Sequence, residues 1–287
     1  METNKQFKIS VLIVNYNYAD YIGEAIQSVL QQSLPVDQLI VVDDGSTDHS
    51  RTVIQQALAG QTQAEVIYKE NGGQLSAYNI GVPQLNGDII FFLDSDDRWK
   101  IDHIASFMQI FEAHPEVEYV YCGHETFGQS HKSWQAYEHP HYLGMSPLAA
   151  IYNRAFYGTS PSASAIRKKM LRQIFPLDND ALLNKKYYAD DVIVRGTSIL
   201  EAVKYFQHPP TTEYRIHSDN EYSGKKRSPL TRYRLLLDTT RLIEHFKRKS
   251  QISELCCDDY QKEFITITRP SPKDYHQSLK TLSRLPI

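Results

Sequence analysis

A cluster of carboxylates follows directly after a strongly apolar stretch of the chain. Residues 89–93 read Ile-Ile-Phe-Phe-Leu, and their length and their β-branched and aromatic content predict a strand buried on both faces. Asp94, Asp96 and Asp97 come next. Such a cluster is electrostatically costly at the end of a buried strand unless a positive charge lies beside it. We therefore expect a divalent metal ion there, held by oxygen ligands at the carboxyl end of a central strand.

Two more groups of polar residues follow predicted buried strands. Residues 8–14 and 39–42 are apolar, β-rich runs, and polar residues 15–17 and 43–44 come directly after them. In a parallel sheet, all three groups would lie on the same edge. One crevice would then hold an aromatic ring, amides and two sets of carboxylates. Mg²⁺ or Mn²⁺ shared with substrate phosphates suits such a set of oxygen ligands.

Each of these features also has an ordinary structural interpretation. Asp44-Gly45-Ser46 is equally typical of a turn with a helix cap, Asp97 of a helix cap, and Tyr16 of a core aromatic. Their joint position at successive strand ends favours the functional interpretation. Neither GxxxxGK[ST] nor GxGxxG occurs in the sequence, which argues against a P-loop NTPase and against a dinucleotide-dependent dehydrogenase.

The elements that must position these residues alternate along the chain. Strand and helix alternate four times in the first ~120 residues, and this pattern predicts a parallel sheet covered by helices on both faces. Residues 125–160 are predicted to be irregular, and a helix over 189–200 starts with Asp190-Asp191. Short strands are predicted over 203–207 and 211–216, and a basic helix over 230–249.

The composition is that of a globular protein with an uneven charge distribution. The 287 residues are 41% hydrophobic with a net charge of −3, which argues against a dedicated nucleic-acid binder. Residues 1–100 hold 6 Lys and Arg against 13 Asp and Glu, whereas residues 204–249 hold 11 against 5. The basic segment is either a solvated helix face or a surface that meets phosphates or anionic lipid head groups.

The cysteines and the N-terminus predict a cytoplasmic protein. Cys122, Cys256 and Cys257 form no disulfide framework and no CxxC motif. The sequence starts without the apolar stretch of a signal peptide and contains no run of about 18 apolar residues. Residues 225–249 are the predicted contact with the inner face of a membrane.

Several segments, taken in order, resemble the family 2 glycosyltransferases. They are Ile13-Val14-Asn15-Tyr16-Asn17, Ser28 to Ser33, Val42 to Asp48, Asn71-Gly72-Gly73 through Gly81, and Gly87-Asp88 running into Leu93 to Asp97. The resemblance covers residues 8–100 and continues more weakly to about residue 220. It implies a GT-A fold, which is an α/β domain with a mostly parallel mixed sheet flanked by helices.

The resemblance also implies a domain organisation and a reaction. Residues 1–222 would form the GT-A domain, with a nucleotide-binding half (1–122) and an acceptor half (123–222), and residues 223–287 a helical C-terminal extension. The reaction would be inverting transfer of a sugar from a UDP-sugar to a hydroxyl of a glycan or a lipid-linked saccharide, with Mn²⁺ or Mg²⁺ as cofactor.

Site residues carry over from the family by position. Tyr16 and Asp44 would contact the nucleobase, and Asn17, Asn79 and Ser95 would complete the donor site. Asp94-Ser95-Asp96 matches the family's DxD motif, in which Asp94 faces the ribose or the metal and Asp96 ligates the metal. His217 would reach the metal or the diphosphate. Asp191 would be the general base of the family's "ED" motif, with Asp190 in place of the usual Glu. The family often has Arg where Tyr78 stands.

The chemistry itself requires a base and a stabilised leaving group. A carboxylate close to the acceptor hydroxyl can take its proton as the hydroxyl attacks the anomeric carbon. Asp191 opens a predicted helix, so its ordinary interpretation is an N-cap, and that of His217 is a hydrogen-bonded histidine.

Two other functions are compatible with nucleotide binding. A sugar nucleotidyltransferase would need a Gly-rich basic loop, but residues 13–20 hold no Gly, Lys or Arg. A non-catalytic nucleotide-sugar-binding component of a glycan-assembly complex is the alternative from another class.

Overall fold

The computed structural model describes residues 7–177, 188–218, 220, 228–252 and 257–285. Strands and helices alternate in the first part of the chain: β1 Ile9–Asn15, α1 Ala19–Leu30, β2 Gln38–Asp43, α2 Ser50–Ala57, β3 Ala64–Tyr68, α3 Gln74–Gly81, β4 Ile89–Asp94, β5 Arg98–Trp99 and α4 His103–Ala113. The second part contains β6 Tyr119–Gly128, β7 Ser133–Trp134, β8 His141–Gly144, α5 Pro147–Asn153, β9 Ser164–Arg167, α6 Lys168–Ile174, α7 Ala189–Ile199, β10 Lys204–Ile216, α8 Pro229–Ser250, α9 Cys257–Phe264 and α10 Pro272–Leu282.

One mixed sheet runs through the molecule in the order β3-β2-β1-β4-β9-β6-β10-β5. The strands β1 to β4 pair in parallel, whereas β9 is antiparallel to both of its neighbours. The apolar runs in β1, β2 and β4 are almost fully buried because helices cover both faces of the sheet. The α/β fold class with a mostly parallel mixed sheet is confirmed.

Alternate residues of the central strands enter two separate hydrophobic clusters. Val11 and Phe91 pack with α1 and α4 on one face, whereas Leu12 and Phe92 pack with α3, α6, α7 and α8 on the other. The α8 residues Leu242, Ile243 and Phe246 belong to this second cluster. The C-terminal part of the chain therefore shares a core with the sheet. None of the described helices is long and apolar enough to span a membrane.

Two predictions about individual elements are wrong. Lys204–Ile216 form one strand, β10, with a register shift between Gln207 and Thr212 in place of two short strands. Residues 125–160 hold β7, β8 and α5, whose short lengths gave no clear periodicity. Residues 225–227 of the basic segment and Cys256 lie outside the described residues.

Lys204, at the start of β10, is fully buried and ties α7 to the loop before β9. Its Nζ donates to Tyr157 O at 3.0 Å, Val194 O at 3.1 Å and Ser198 Oγ at 2.7 Å. Burial lowers the pKa of this amine well below its ordinary value. The folded state therefore releases the Nζ proton at a lower pH than the unfolded chain, which keeps it up to a pH of about 10.4.

We expect wild-type protein to gain stability relative to Lys204→Met as the pH rises toward about 10.4, the ordinary pKa of a lysine. Between the lowered pKa of the folded state and this value, the unfolded state binds more protons, so the free energy of unfolding rises with pH, by at most about 1.4 kcal/mol per pH unit. Urea unfolding at several pH values measures the difference, with Lys280→Met as a control at an exposed lysine. Parallel pH profiles for wild type and Lys204→Met would contradict a lowered pKa of the buried amine.

Candidate active site

The carboxyl ends of β1, β2 and β4 meet at one edge of the sheet, as the sequence predicts. Asn15 at the end of β1 pairs in register with Asp43 at the end of β2. Val14 pairs with Asp94 at the end of β4 on the other side. The Asp43 carboxylate is buried and accepts from Asn15 Nδ2 at 3.0 Å and from Ser46 N at 3.2 Å. Asp43 therefore fixes the loops that carry its neighbours.

Asp44 is buried beneath the loop that follows β3. Its carboxylate accepts from Gly72 N at 3.0 Å and Gly73 N at 2.8 Å, and it forms an ion pair with Lys69. A carboxylate has about four acceptor sites, so one remains for a donor from a ligand. Gly45 has φ +76°, and a Cβ there would lie 2.6 Å from Asn71 N. Only glycine fits this turn, which brings the loop onto Asp44.

Tyr16 and Asn17 occupy the turn after β1. The Tyr16 ring is 45% exposed, so the core interpretation does not apply. Asn17 has a left-handed backbone (φ 56°), its Oδ1 accepts from Thr47 N at 2.8 Å, and its own N donates to Ser46 Oγ at 2.9 Å. Asn17 thus joins the turn after β1 to the loop after β2, and Tyr16 is left as an open aromatic surface at the edge.

The carboxylates after β4 point in different directions. Asp96 Oδ2 lies 3.0 Å from His217 Nε2, and the two side chains are largely buried. Asp97 is fully buried and accepts from Ser162 Oγ at 2.6 Å and from Arg215 N at 2.9 Å. The interpretation of Asp97 as a helix cap is wrong, since it binds β10 instead. Ser95 is buried at 3% exposure.

Two of these carboxylates have raised pKa values. Burial, and then the charges of Asp96 and Asp190, raise the pKa of Asp94 to about 7. Burial and the same kind of repulsion raise the pKa of Asp97 well above its ordinary value. A divalent cation relieves such repulsion, so the residues fit one. In the described part of the chain, no group of three or more His, Cys, Asp and Glu is placed to hold a metal alone. Mg²⁺ commonly uses one or two carboxylates plus substrate phosphates.

Residues that the sequence analysis did not single out hold the 94–97 segment in place. Arg215 Nε donates to Asp96 O at 2.7 Å, and its guanidinium pairs with Glu24 of α1. Gln74 joins the segment to α7, because Nε2 lies 3.4 Å from Asp94 Oδ1 and Oε1 accepts from Ala189 N at 3.1 Å. No local sequence signal identifies these contacts, since every one joins residues distant in the chain.

The two consecutive aspartates at the start of α7 have different surroundings. Asp191 is 31% exposed at its side chain and pairs with Arg195 Nε at 3.2 Å. Asp190 lines a cavity, and its charge contributes to the raised pKa of Asp94. Burial, and then the charge of Asp191, raise the pKa of Asp190 to about 6. The assignment of the base to Asp191 stays a prediction, and the structure adds Asp190 as a second candidate.

The α3 residues Tyr78 and Asn79 both contact the stretch after α6. Tyr78 is buried and its ring stacks on Phe175 at a centroid distance of 5.6 Å, so it is a core residue. Asn79 Nδ2 donates to Leu177 O at 2.9 Å, and its Oδ1 accepts from Leu177 N at 2.8 Å. The amide of Asn79 therefore anchors the main chain of Leu177. Its predicted contact with the donor stays a prediction.

Comparisons with solved structures agree with this fold. S. aureus TarS 1-349 in complex with UDP-GlcNAc has a similar fold, with a TM-score of 0.60 and 18% identity over 96% of this chain and 79% of that chain. The mannosyltransferase PcManGT from Pyrobaculum calidifontis, in complex with GDP-Man and Mn²⁺, has a TM-score of 0.55 and 13% identity over 98% of this chain and 86% of that chain. The sheet and its helices are thus those of the GT-A fold.

The sequence of this chain is also similar to those of several glycosyltransferases. An uncharacterized glycosyltransferase of Nostoc sp. is 33% identical over 219 residues, which are 75% of this chain and 66% of that protein. Two further relatives match over 41% and 39% of their own lengths, so the chain spans only part of these proteins. The model of glycosyl transferase family 2 matches residues 10–175, more than half of the chain. The chain therefore belongs to glycosyl transferase family 2.

Proposed function

We propose that this chain transfers a sugar from a UDP-sugar to a hydroxyl of a saccharide acceptor, with inversion at the anomeric carbon. One observation carries the proposal: the Gln74 side chain bonds both to Asp94 at the end of β4 and to Ala189 N at the start of α7, so that leaving-group and acceptor chemistry can meet between these two elements. The bound nucleotide sugars of the two structural neighbours, UDP-GlcNAc and GDP-Man, support a nucleotide-sugar donor.

The donor nucleotide would occupy the edge formed by the turns after β1 and β2. The exposed ring of Tyr16 offers a face on which a base can stack, and Asp44 keeps one free acceptor site for a ring N–H. Asn17 and Asn79 would act indirectly, by holding the main chain with which they form hydrogen bonds. Ser95 would act through its own main chain. The support for direct contact is strongest for Tyr16 and Asp44.

Asp94 and Asp96 are the proposed ligands of Mg²⁺ or Mn²⁺, and His217 bonds to Asp96. Carboxylate oxygens suit these hard cations, and the raised pKa of Asp94 reflects its burial and then the charges of Asp96 and Asp190. The bound cation would stabilise the negative charge that develops on the leaving diphosphate. His217 Nε2, at 3.0 Å from Asp96 Oδ2, orients this carboxylate, and the ring of Tyr21 packs against His217 at 4.7 Å.

The proton of the acceptor hydroxyl must be taken by a carboxylate at the start of α7. We favour Asp190 for geometric reasons, because it lines the cavity, whereas Asp191 is engaged by Arg195. A pKa of about 6 leaves Asp190 ionised at neutral pH and close to the optimum for general base catalysis. Attack from the side opposite the diphosphate inverts the anomeric carbon and requires no protein nucleophile.

Incubation of the protein with a panel of UDP-sugars and Mn²⁺ tests the proposed reaction. We expect one UDP-sugar to raise the melting temperature, since a ligand that binds only the folded state stabilises it. The same UDP-sugar should be hydrolysed slowly, with water as the acceptor. Stabilisation without release of UDP, either to water or to any saccharide, would favour the non-catalytic binding component instead. Stabilisation by no UDP-sugar would overturn the assignment of the donor.

The start of α8 supports contact with a membrane surface. Leu230, Tyr233 and Leu237 are exposed at helical spacing, and Arg232 and Arg234 lie between them. Such a helix end can insert apolar side chains between anionic lipid head groups while its arginines remain at the surface. We propose that this segment brings the site to a lipid-linked acceptor.

Binding to vesicles of anionic phospholipid tests this contact. Replacing Arg232 and Arg234 by glutamine should weaken binding by about tenfold or more, because each basic residue near an anionic surface contributes roughly 1 kcal/mol. Vesicles of neutral phospholipid serve as the reference, and Leu279→Ser on α10 is a control at another exposed leucine. If the double variant and wild type bind equally to anionic vesicles, the start of α8 is an ordinary solvated surface.

A further inference from the structure

We propose that the cavity lined by Asp190 binds an oligosaccharide acceptor, and that the C-terminal helix α10 forms one of its walls. The cavity has a volume of about 450 Å³, within the range of small-ligand pockets, roughly 300–1,000 Å³. Its lining comes from β6, β7, the loop after α5 and α10. This inference rests on the proposed transfer reaction and adds to it the class of the acceptor and the residues that bind it.

Two aromatic rings form open faces in the cavity. Trp134 and Phe156 line it, and 44% and 41% of their surfaces respectively are exposed. Each ring is backed by another group: His124 stacks on Trp134 at 5.5 Å, and the Arg195 guanidinium lies 5.6 Å from the centroid of Phe156. A pyranose ring has an apolar C–H face that can pack on such a surface while its hydroxyls point away. The supported rings are thus suited to a sugar.

Buried polar atoms in the same cavity have unused hydrogen-bonding capacity. His124 Nδ1 and Ser160 Oγ have no hydrogen-bond partner within the described ranges, although both residues line the cavity. A buried polar atom without a partner costs roughly 1–3 kcal/mol. Burial also lowers the pKa of His124, so its ring is neutral and has one nitrogen that accepts. Sugar hydroxyls both donate and accept, and can satisfy both atoms.

The helix α10 is fixed in this position by a buried carboxylate. Asp274 accepts from Tyr137 Oη at 3.0 Å, contacts His141 Nε2 at 2.9 Å, and completes a capping box with Ser271. Burial opposes ionisation of Asp274, but the bonds from His141 and Ser271 outweigh it and lower the pKa. The charged form is therefore stabilised, and α10 is held against the acceptor half of the domain. Its first turns bring Lys273 and Gln277 to the cavity wall.

A second cavity lies next to the first and has room for further sugar units. Its volume is about 1190 Å³, and it shares the lining residues Ala136 and Lys273 with the first. Lys273 Nζ donates to Ala136 O at 3.1 Å and lies 4.7 Å from the centroid of the Tyr137 ring, so it stands at the junction. An acceptor whose terminal hydroxyl faces Asp190 would place its following units in the second cavity. Longer saccharides should therefore bind more tightly than monosaccharides.

An array of immobilised oligosaccharides, probed with the full chain in the presence of UDP and Mn²⁺, tests the inference. We expect retention on a subset of glycans, stronger for longer members of a series. Trp134→Ala and Gln277→Ala should each weaken retention, by about tenfold for the tryptophan. Trp134→Phe should retain most of it, because the aromatic face remains. Leu279→Ala, on an exposed part of α10, is the matched control.

A separate measurement distinguishes failure of the acceptor site from failure of the proposed reaction. Stabilisation by UDP depends on the donor edge and should be unchanged in Trp134→Ala and Gln277→Ala. Retention of no glycan, or equal retention of both variants and wild type, with UDP binding intact, would overturn the acceptor cavity alone. Failure of the wild-type chain to bind UDP would instead overturn the assignment of the donor.

Discussion

Asp190→Asn is expected to lower kcat by about 10²–10⁴-fold, because the acceptor hydroxyl would lose its general base. Asparagine has nearly the same shape, and its amide oxygen can still accept from Asp191 N, as the carboxylate does at 2.9 Å. Donor binding, measured by UDP-induced stabilisation, should therefore persist. Steady-state kinetics with an active donor and acceptor pair would measure the loss.

The neighbouring variant Asp191→Asn is the matched control. Its carboxylate is paired with Arg195, so its removal should cost much less than the removal of the Asp190 carboxylate. A large loss in Asp191→Asn together with a small loss in Asp190→Asn would transfer the role to Asp191, the position implied by the family motif. Normal turnover in both variants would exclude the start of α7 as the source of the base.

The pH dependence gives an independent measure of the base. Asp190 accepts a proton only when it is ionised, and its pKa is raised to about 6. The ratio kcat/KM for the acceptor should therefore fall as the pH decreases through about 6, at saturating metal. In Asp190→Asn the residual rate should lack this acid limb. An acid limb that persists unchanged in this variant would assign the titration to another group.

Asp96→Ala is expected to remove metal-dependent transfer. A cation that stabilises the leaving diphosphate contributes several kcal/mol, so we expect a loss on the order of 10³-fold in kcat/KM. The variant also leaves His217 without its partner at 3.0 Å. Titration of activity with Mn²⁺ measures the effect, and the apparent affinity for the metal should fall together with the rate.

A nearby exposed carboxylate supplies the control for this variant. Asp102 precedes α4, and its side chain makes no capping bond to that helix. Asp102→Ala should therefore keep the wild-type response to Mn²⁺. Full activity of Asp96→Ala at saturating metal would contradict the assignment of Asp96 as a ligand. The variant Asp94→Ala should also show a lower apparent affinity for Mn²⁺ in the same assay if both carboxylates share the cation.

The sequence by itself determined which residues meet at the edge of the sheet. Short apolar runs indicate buried strands, and parallel pairing brings the carboxyl ends of these strands together. The position of residues 15–17, 43–44 and 94–96 on one edge followed from this rule alone. The resemblance to family 2 glycosyltransferases then supplied the GT-A fold.

Only the tertiary structure decided what each polar side chain contacts. Asp190 and Asp191 are adjacent in sequence, but consecutive residues of a helix point about 100° apart, so one faces the cavity and the other faces Arg195. Asp97 has the sequence context of a cap, yet it bonds to β10, 118 residues later.

No pattern in the sequence indicates that α10 forms a wall of the cavity, for the same physical reason. Its position depends on contacts of Asp274 with Tyr137 and His141, which lie more than 130 residues earlier in the chain. Hydrophobic periodicity reports which face of a segment is buried, but it does not report against which partner. The edge that would hold the donor was therefore readable from the sequence, whereas the cavity proposed for the acceptor required the folded chain.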